Sequence, residues 1–521
     1  MKRQIKYNLN KKTVEREVNY IPVRYIIAVL MTIFEIVAII GAVVLLCYFV
    51  PYFYIAAFIT EIVCIVRISA SDNNPDYKIP WLLVIIFLPI AGFMLYFIFS
   101  KRTLKRKFVN RLEKIDKATA VIENHEAKNK LEKENKTASL QANQLCKIAS
   151  TSLYTDTKQE YFESGEKMHI KLLEDLKSAK EFILMEYFII EEGIFWDSIL
   201  EVLKDKALNG VDVKVIYDDI GCMGTLHGSY YKKLRKMGIE ATTFSRLKGN
   251  ADSEFNNRNH RKITVIDGKI GYTGGINIAD EYINKKNRFG YWKDTGIRIE
   301  GNAVNQLTKL FLMDFYINVK EVPDNLEKYY RYEKSAQTDE YLIPFGDGPR
   351  PLYEHNVAKI VIENMLTSAT KYVYITTPYL IIDNELCKCI ENTALKGVDV
   401  RIITPHIPDK RLVFSITRSF YLRLINAGVK IYEYAPGFIH AKTYISDDKY
   451  ALIGTINLDY RSLVHHFENG VWMYNCKSIL DIKTDIDNVI EKSIKIEKNT
   501  IKINILKRIL RSVVRIFSPL L

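Results

Sequence analysis

A His-x-Lys pair with an Asp seven residues after the His occurs twice in this 521-residue chain: His260-Arg-Lys262 with Asp267, and His440-Ala-Lys442 with Asp447. Each copy runs through an apolar stretch and then reaches glycine and asparagine, at Gly274-Gly-Ile-Asn277 and at Gly454-Thr-Ile-Asn457. Residues two apart on a strand share a face. Each His therefore lies on the same side as its Lys. Asp267-Gly268 after an apolar run signals a chain reversal. One such motif arises by chance on ordinary surface strands. Two with one spacing and one sequel require a duplicated unit.

The flanking segments repeat as well. Ala179–Phe188 matches Ala369–Pro378, each a helix end followed by a buried strand. Ala207–Ile216 matches Ala394–Ile403, and Met237–Glu240 matches Ala427–Lys430. All three pairs precede their His strand in the same order. Strands alternating with helices predict an α/β fold in two halves, 151–335 and 336–490, each with a largely parallel sheet.

Residues 1–100 read as a membrane region. From Ile26 to Val66 the chain is almost continuously apolar, broken by Glu35, Pro51 and Glu61. About 20 apolar residues cross a bilayer, so this run has room for two spans turning near Pro51. A polar loop, Ser71–Lys78, precedes a third apolar stretch, Ile79–Phe99, interrupted at Leu88-Pro89. A signal peptide is excluded by the length and repetition of these runs. The first 24 residues and the 101–107 cluster are both basic and both favour the cytoplasm. An even number of crossings satisfies both, yet three segments are candidates. Either one of them is re-entrant or interfacial, or the N-terminus lies outside. The duplicated region that follows is expected in the cytoplasm, beside the larger basic cluster.

Residues 101–150 are charged and helix-prone, fitting a linker helix at the membrane surface or a solvated spacer. At the other end, 491–521, Leu506, Ile509, Leu510, Val513 and Phe517 fall at helical spacing among Lys507, Arg508, Arg511 and Arg515. Such a basic amphipathic helix lies in an anionic interface or packs on the duplicated region. The net charge of +13 fits an anionic partner, membrane or nucleic acid. Seven cysteines without framework spacing fit reduced thiols, and Cys387-x-Cys389 has no second pair to make a zinc site.

The paired motifs resemble the phospholipase D superfamily and, within it, the bacterial cardiolipin synthases. The resemblance rests also on Asn259-His-Arg-Lys, Gly274–Tyr282, Trp292-Lys-Asp-Thr295, Pro436–Lys442 and Asn457-Leu-Asp-Tyr-Arg-Ser462, and it extends over nearly the whole chain. It implies two α/β halves packed about a pseudo-twofold, with the His strands face to face, behind N-terminal transmembrane helices in a multi-pass bacterial cell-membrane protein. It further implies phosphatidyl transfer between two phosphatidylglycerol molecules, giving cardiolipin and glycerol through a phosphohistidine. Phosphatidylglycerol, other anionic phospholipids and the membrane are then the partners, with no nucleic acid.

Exchanging one alcohol for another on a phosphodiester takes two displacements. His260 and His440 divide the roles of nucleophile and general acid–base, in an order left open. Lys262 and Lys442 neutralise phosphoryl oxygens, and Asn277 and Asn457 donate to them. By position in the family pattern, Asp294 and Glu468 orient the imidazoles. Asp267 and Asp447 complete the catalytic set, in a supporting role. Two lysines and two imidazoles supply positive charge, so no metal or other cofactor is required. The sequence departs from the family pattern at His466, where Asn is usual, and at Gly296, where His is common. His227 is the remaining histidine placed nearest a pocket rim. Water or another alcohol as acceptor, a nuclease and a non-catalytic scaffold are the rival readings, and the oligomeric state is open.

Overall fold

The computed structural model describes residues 3–9, 12–18, 23–49, 51–100, 106–118, 124–245, 257–317, 322–332, 338–500 and 513–517. Two mixed sheets dominate. The first runs Thr157–Phe162, Gly296–Gly301, Ile270–Gly274, Ile263–Ile266, Phe182–Tyr187, Asp212–Asp218, Glu240–Phe244 across its width. The second repeats that order strand for strand: Tyr341–Asp347, Glu468–Tyr474, Tyr450–Gly454, Thr443–Ser446, Tyr372–Thr376, Asp399–Pro405, Lys430–Tyr434, with Ser493–Ile496 added at its edge.

The expected largely parallel sheet is corrected. Only the last three strands of each seven pair in parallel. The others are antiparallel, because the His strand reverses at its motif aspartate instead of crossing over through a helix. Asp267 (φ 51°) and Gly268 (φ 68°) make that turn in one half, Asp447 (φ 55°) and Asp448 (φ 58°) in the other. Two successive left-handed residues match the twist of a tight hairpin.

Both faces of each central strand are buried. Ile183, Met185 and Tyr187 point to an outer layer that includes Leu172, Leu176, Phe195 and Ile199 of the helices Gly165–Ser178 and Ile194–Leu208. Phe182 and Leu184 point inward, to a layer shared with Ala441, Ile445 and Ile453 of the second half. The helix Val304–Tyr316 is buried along its whole length in this shared layer, as expected of a helix with no solvent face.

The linker segment is not a solvated spacer over 124–149. Asn124 and Asn135 cap two helices, His125–Glu134 and Lys136–Ala149, by accepting from the backbone of Ala127 and Ala138. Ala127, Leu131, Ala138, Ala142 and Leu145 are buried in the core of the second half. Small alanines permit close helix approach, and charge counts alone hide that stripe.

At the N-terminal end, helices span Val23–Phe49, Pro51–Ala70, Pro75–Phe87 and Pro89–Phe99. Among the described residues one helix is long and apolar enough to cross a membrane, at Ile26–Leu45. The third apolar stretch folds back on itself at Leu88-Pro89. Tyr77 Oη donates to the Ser100 carbonyl at 3.1 Å, and the Trp81 and Tyr96 rings meet at 5.3 Å. Gly92 is required there, since a Cβ would sit 2.5 Å from the Val84 carbonyl oxygen. This hairpin docks on the second half. Asn74 Nδ2 donates to Asp383 Oδ2 at 2.9 Å, and the Tyr77 and Tyr460 rings stack. Of the C-terminal amphipathic pattern, Leu506 to Arg511 lie outside the described residues; Val513–Phe517 is helical, with Arg515 over the Phe420 ring at 4.2 Å.

Candidate active site

The site is built where the two halves exchange backbone. The His260 N–H donates to the Phe467 carbonyl at 2.9 Å, and the Phe467 N–H to that of Arg258 at 2.8 Å. In the symmetric place the His440 N–H donates to the Lys293 carbonyl at 2.7 Å, and Gly437–Ile439 pairs with Tyr291–Lys293. Each His strand is thus stitched to the strand that carries the other half's carboxylate.

The consequence is a crossed pair of dyads. His260 Nδ1 lies 2.9 Å from Glu468 Oε1, and His440 Nδ1 lies 2.6 Å from Asp294 Oδ2. Both carboxylates are fully enclosed. Glu468 also accepts from Ser462 Oγ and Thr455 Oγ1, and Asp294 from the Thr295 N–H at 2.8 Å. With its oxygens so occupied, each carboxylate stays ionised: despite burial, the neighbouring imidazole holds it below the usual range. Burial pushes both imidazoles down, against the pull of the carboxylate on each. With Nδ1 turned to the carboxylate, Nε2 is the nitrogen left for chemistry on both rings.

Lys262 and Lys442 lie on the segments leading into the strands Ile263–Ile266 and Thr443–Ser446, each turned back toward its own His, while Arg261 turns away to Asp314 at 2.8 Å. Lys262 Nζ donates to the His260 carbonyl at 2.7 Å. Lys442 Nζ lies 2.8 Å from His440 Nδ1. That nitrogen cannot donate to Asp294 and accept from Lys442 at once; the carboxylate is the stronger acceptor, so the proton points to Asp294. Burial pulls Lys262 down to about 7 and Lys442 to about 8, and Lys442 adds to the effect at Lys262. The backbone exchange at His260 with Phe467 and at His440 with Lys293 is what brings the two motifs together.

Asn277 is held by the Ile189 N–H on its oxygen (3.0 Å) and by its own donation to Tyr282 Oη (2.7 Å), leaving one amide hydrogen. Asn457 is buried, and its side-chain oxygen has no partner among the described residues.

Asp267 and Asp447 do not join the imidazoles. Five residues of strand beyond the lysine carries them roughly 17 Å away. Asp267 accepts from the backbone N–H groups of Lys180, Glu181 and Phe182, each at 2.8 Å. Asp447 does the same for Thr370, Lys371 and Tyr372. They pin the hairpin to the neighbouring strand. Asp267→Ala is expected to cost about 2–3 kcal/mol of stability, read as a lower thermal-unfolding midpoint, with the imidazole chemistry of the folded fraction unchanged. His227 lies on an exposed turn, bonded to Ser229 Oγ at 2.8 Å.

Sequence reasoning missed the outer supports. Arg258 forks onto Asp218, 40 residues away, and Arg261 donates through Nη1 to Asp314, 53 residues away. No local signal links such distant partners. Ser462 was visible within the quoted motif, but not its bond to Glu468. Among the described residues, His260, His466 and Glu468 are the metal-competent cluster, with donor atoms within 4.8 Å of one another. A cation there would have to displace His260, Ser462 or Thr455 from Glu468.

A family profile described as "Cardiolipin synthase, PLD-like domain" matches residues 172–311 and 362–490, which hold both dyads. A second, "Phospholipase_D-nuclease N-terminal", matches 62–101. A cardiolipin synthase of Alkalihalophilus pseudofirmus is 34% identical over 87% of this chain and 90% of its own. The chain belongs to the cardiolipin synthases of the phospholipase D superfamily. A protein of Streptococcus mutans described as uncharacterized is similar too, 39% identical over 85% of this chain and 96% of its own. The fold resembles a phosphatidylserine synthase of Haemophilus influenzae, with a TM-score of 0.55 at 16% identity, over 74% of this chain and all of that one. Family membership and the apolar helix at Ile26–Leu45 together associate the protein with a membrane.

Proposed function

We propose that the chain transfers a phosphatidyl group from one phosphatidylglycerol to another, giving cardiolipin and glycerol. The observation that carries this is the pair of enclosed imidazoles in crossed dyads, each with its Nδ1 on an ionised carboxylate from the other half, which leaves its Nε2 for chemistry. One Nε2 attacks phosphorus and the glycerol oxygen leaves, taking the Nε2 proton of the other ring, which enters the step as an imidazolium held by its ionised carboxylate and by the bound anionic phosphodiester. That second imidazole then accepts the proton of the incoming hydroxyl as its oxygen displaces the phosphohistidine. Lys262 and Lys442, with Asn277 and Asn457, hold the phosphoryl oxygens, where negative charge grows in each transition state. Donor and acceptor are the same lipid, so no nucleotide is needed to activate either.

Labelled phosphatidylglycerol incubated with membranes holding the protein tests this. Cardiolipin and free glycerol in equal amounts support it. Phosphatidic acid as the main product makes water the acceptor. Label remaining in phosphatidylglycerol sinks the transferase reading and turns the question to another phosphodiester, nucleic acid included.

The lysines set the basic limb of the reaction. They bind the anionic phosphoryl group as cations, and above about 7 to 8 the free site loses those protons. kcat/KM is expected to fall as pH rises through this window, measured between pH 6 and 9.5. A profile flat to pH 9.5 would remove the lysines from substrate binding.

For the membrane region, the reading is two crossings, Val23–Phe49 and Pro51–Ala70, followed by a re-entrant hairpin over 75–99. Thirteen residues in Pro75–Phe87 reach only about 20 Å, against about 30 Å of hydrocarbon. Ile86, Phe87 and Leu88 at the tip are exposed and apolar. Two crossings return both basic segments to the cytoplasmic side, with the catalytic halves.

A further inference from the structure

The pseudo-twofold that relates the two dyads also relates two rings beside them. Trp292 stands two residues before Asp294, and its ring lies 5.6 Å from that of His440 at an interplanar angle of 43°. His466 stands two residues before Glu468, and its ring lies 5.6 Å from that of His260 at 44°. The position is therefore a repeated part of the site, filled by indole in one half and imidazole in the other.

The polar atoms of these rings are enclosed. Trp292 Nε1 and both ring nitrogens of His466 lack a hydrogen-bond partner among the described residues. His466 Nδ1 is 3.7 Å from Glu468 Oε1, beyond hydrogen-bond reach. That oxygen is already shared by His260 and Ser462. Enclosed polar groups without partners are rare in native interiors, and at a site they call for a ligand. A neutral imidazole offers one donor and one acceptor, the pattern a hydroxyl answers; an indole offers a donor alone. The two sides of the site are thus chemically unequal next to otherwise matching dyads.

We infer that His466 is the specificity-determining contact for the alcohol: it hydrogen-bonds a second hydroxyl of a polyol headgroup while His260 handles the phosphoryl centre. This rests on the phosphatidyl-transfer reading above. A buried hydrogen-bonding group that recognises a hydroxyl rejects the analogue lacking it far more strongly than an apolar wall discriminates size. His466 would therefore favour glycerol-type acceptors over simple alcohols and water.

The test offers the full-length protein phosphatidylglycerol together with labelled glycerol or labelled 1-propanol at equal concentration, and compares incorporation into lipid. The intact protein is expected to prefer glycerol. His466→Leu should lower that preference about tenfold, read as the ratio of the two labels, which the shared donor step leaves untouched. His466→Asn, whose amide also donates and accepts, should retain most of the preference. Should His466→Leu fail to fold, His466→Phe is read in its place. An unchanged preference in the apolar variant overturns the inference. So does an equal fall with both alcohols, the mark of a structural role. A chelator that reproduces the variant's shift in the intact protein would also overturn it, because the ligand of His466 would then be a cation. If the intact protein incorporates neither alcohol and forms no cardiolipin, the transferase reading itself falls and takes this inference with it.

Discussion

His260→Ala and His440→Ala are each expected to lower phosphatidyl transfer by at least about 10⁴-fold. The two losses should be similar in steady state because neither step of a double displacement proceeds without its imidazole. They differ in what accumulates. A phosphodiester with an activated leaving group needs no proton donor in the first step. The variant that keeps the nucleophile should then become labelled on histidine, and the other should stay unlabelled. Mass spectrometry of both variants after a brief exposure reads this directly and names the nucleophile. Activity within tenfold of the intact protein in either variant would sink the covalent mechanism, as would label on neither.

The second large effect is expected at the carboxylates. Glu468→Gln and Asp294→Asn should each reduce kcat by about 10³-fold with little change in fold. The imidazolium that forms during each step is stabilised by an enclosed negative charge 2.6 to 3.0 Å away. An amide of the same shape keeps the contact and removes the charge, and it can impose the wrong tautomer by donating to Nδ1. For Glu468 the amide must also fit Ser462 and Thr455, which both donate to the carboxylate. The measurement is kcat against thermal midpoint. A kcat within threefold of the intact protein's would show that orientation, not charge, is what the carboxylate supplies.

Much of this was legible in the sequence. The duplicated motif required two like halves, and the sheets repeat strand for strand. The His, Lys and Asn positions could be named because the motif recurs with one spacing and one sequel, and Asp294 and Glu468 from their place in the family pattern. What escaped was set by distance along the chain. Nothing near Asp294 indicates that its imidazole is His440, 146 residues on. The antiparallel share of the sheet was underestimated because alternating helices and strands imply crossovers, whereas the turns at Asp267-Gly268 and Asp447-Asp448 each remove one. Asp267 and Asp447 were grouped with the chemistry because they recur with it. They recur because each hairpin needs the same clasp. The foldback at 75–100 was hidden because apolar content counts residues and not direction; only Leu88-Pro89 hinted at it.

The crossing of the dyads bears on how such a chain could have come about. Neither repeat contains a complete imidazole–carboxylate unit of its own. A polypeptide with one repeat could have assembled two such units only by pairing with a copy of itself, each subunit lending its acid to the other's base, as an isologous dimer does. Joining the copies in tandem freed the two sides from being identical. Asp294 opposite Glu468, and Trp292 opposite His466, are places where that freedom has been used. Conversely, a chain cut between residues 335 and 336 should be inert as separate pieces and regain turnover only as the pieces reassociate.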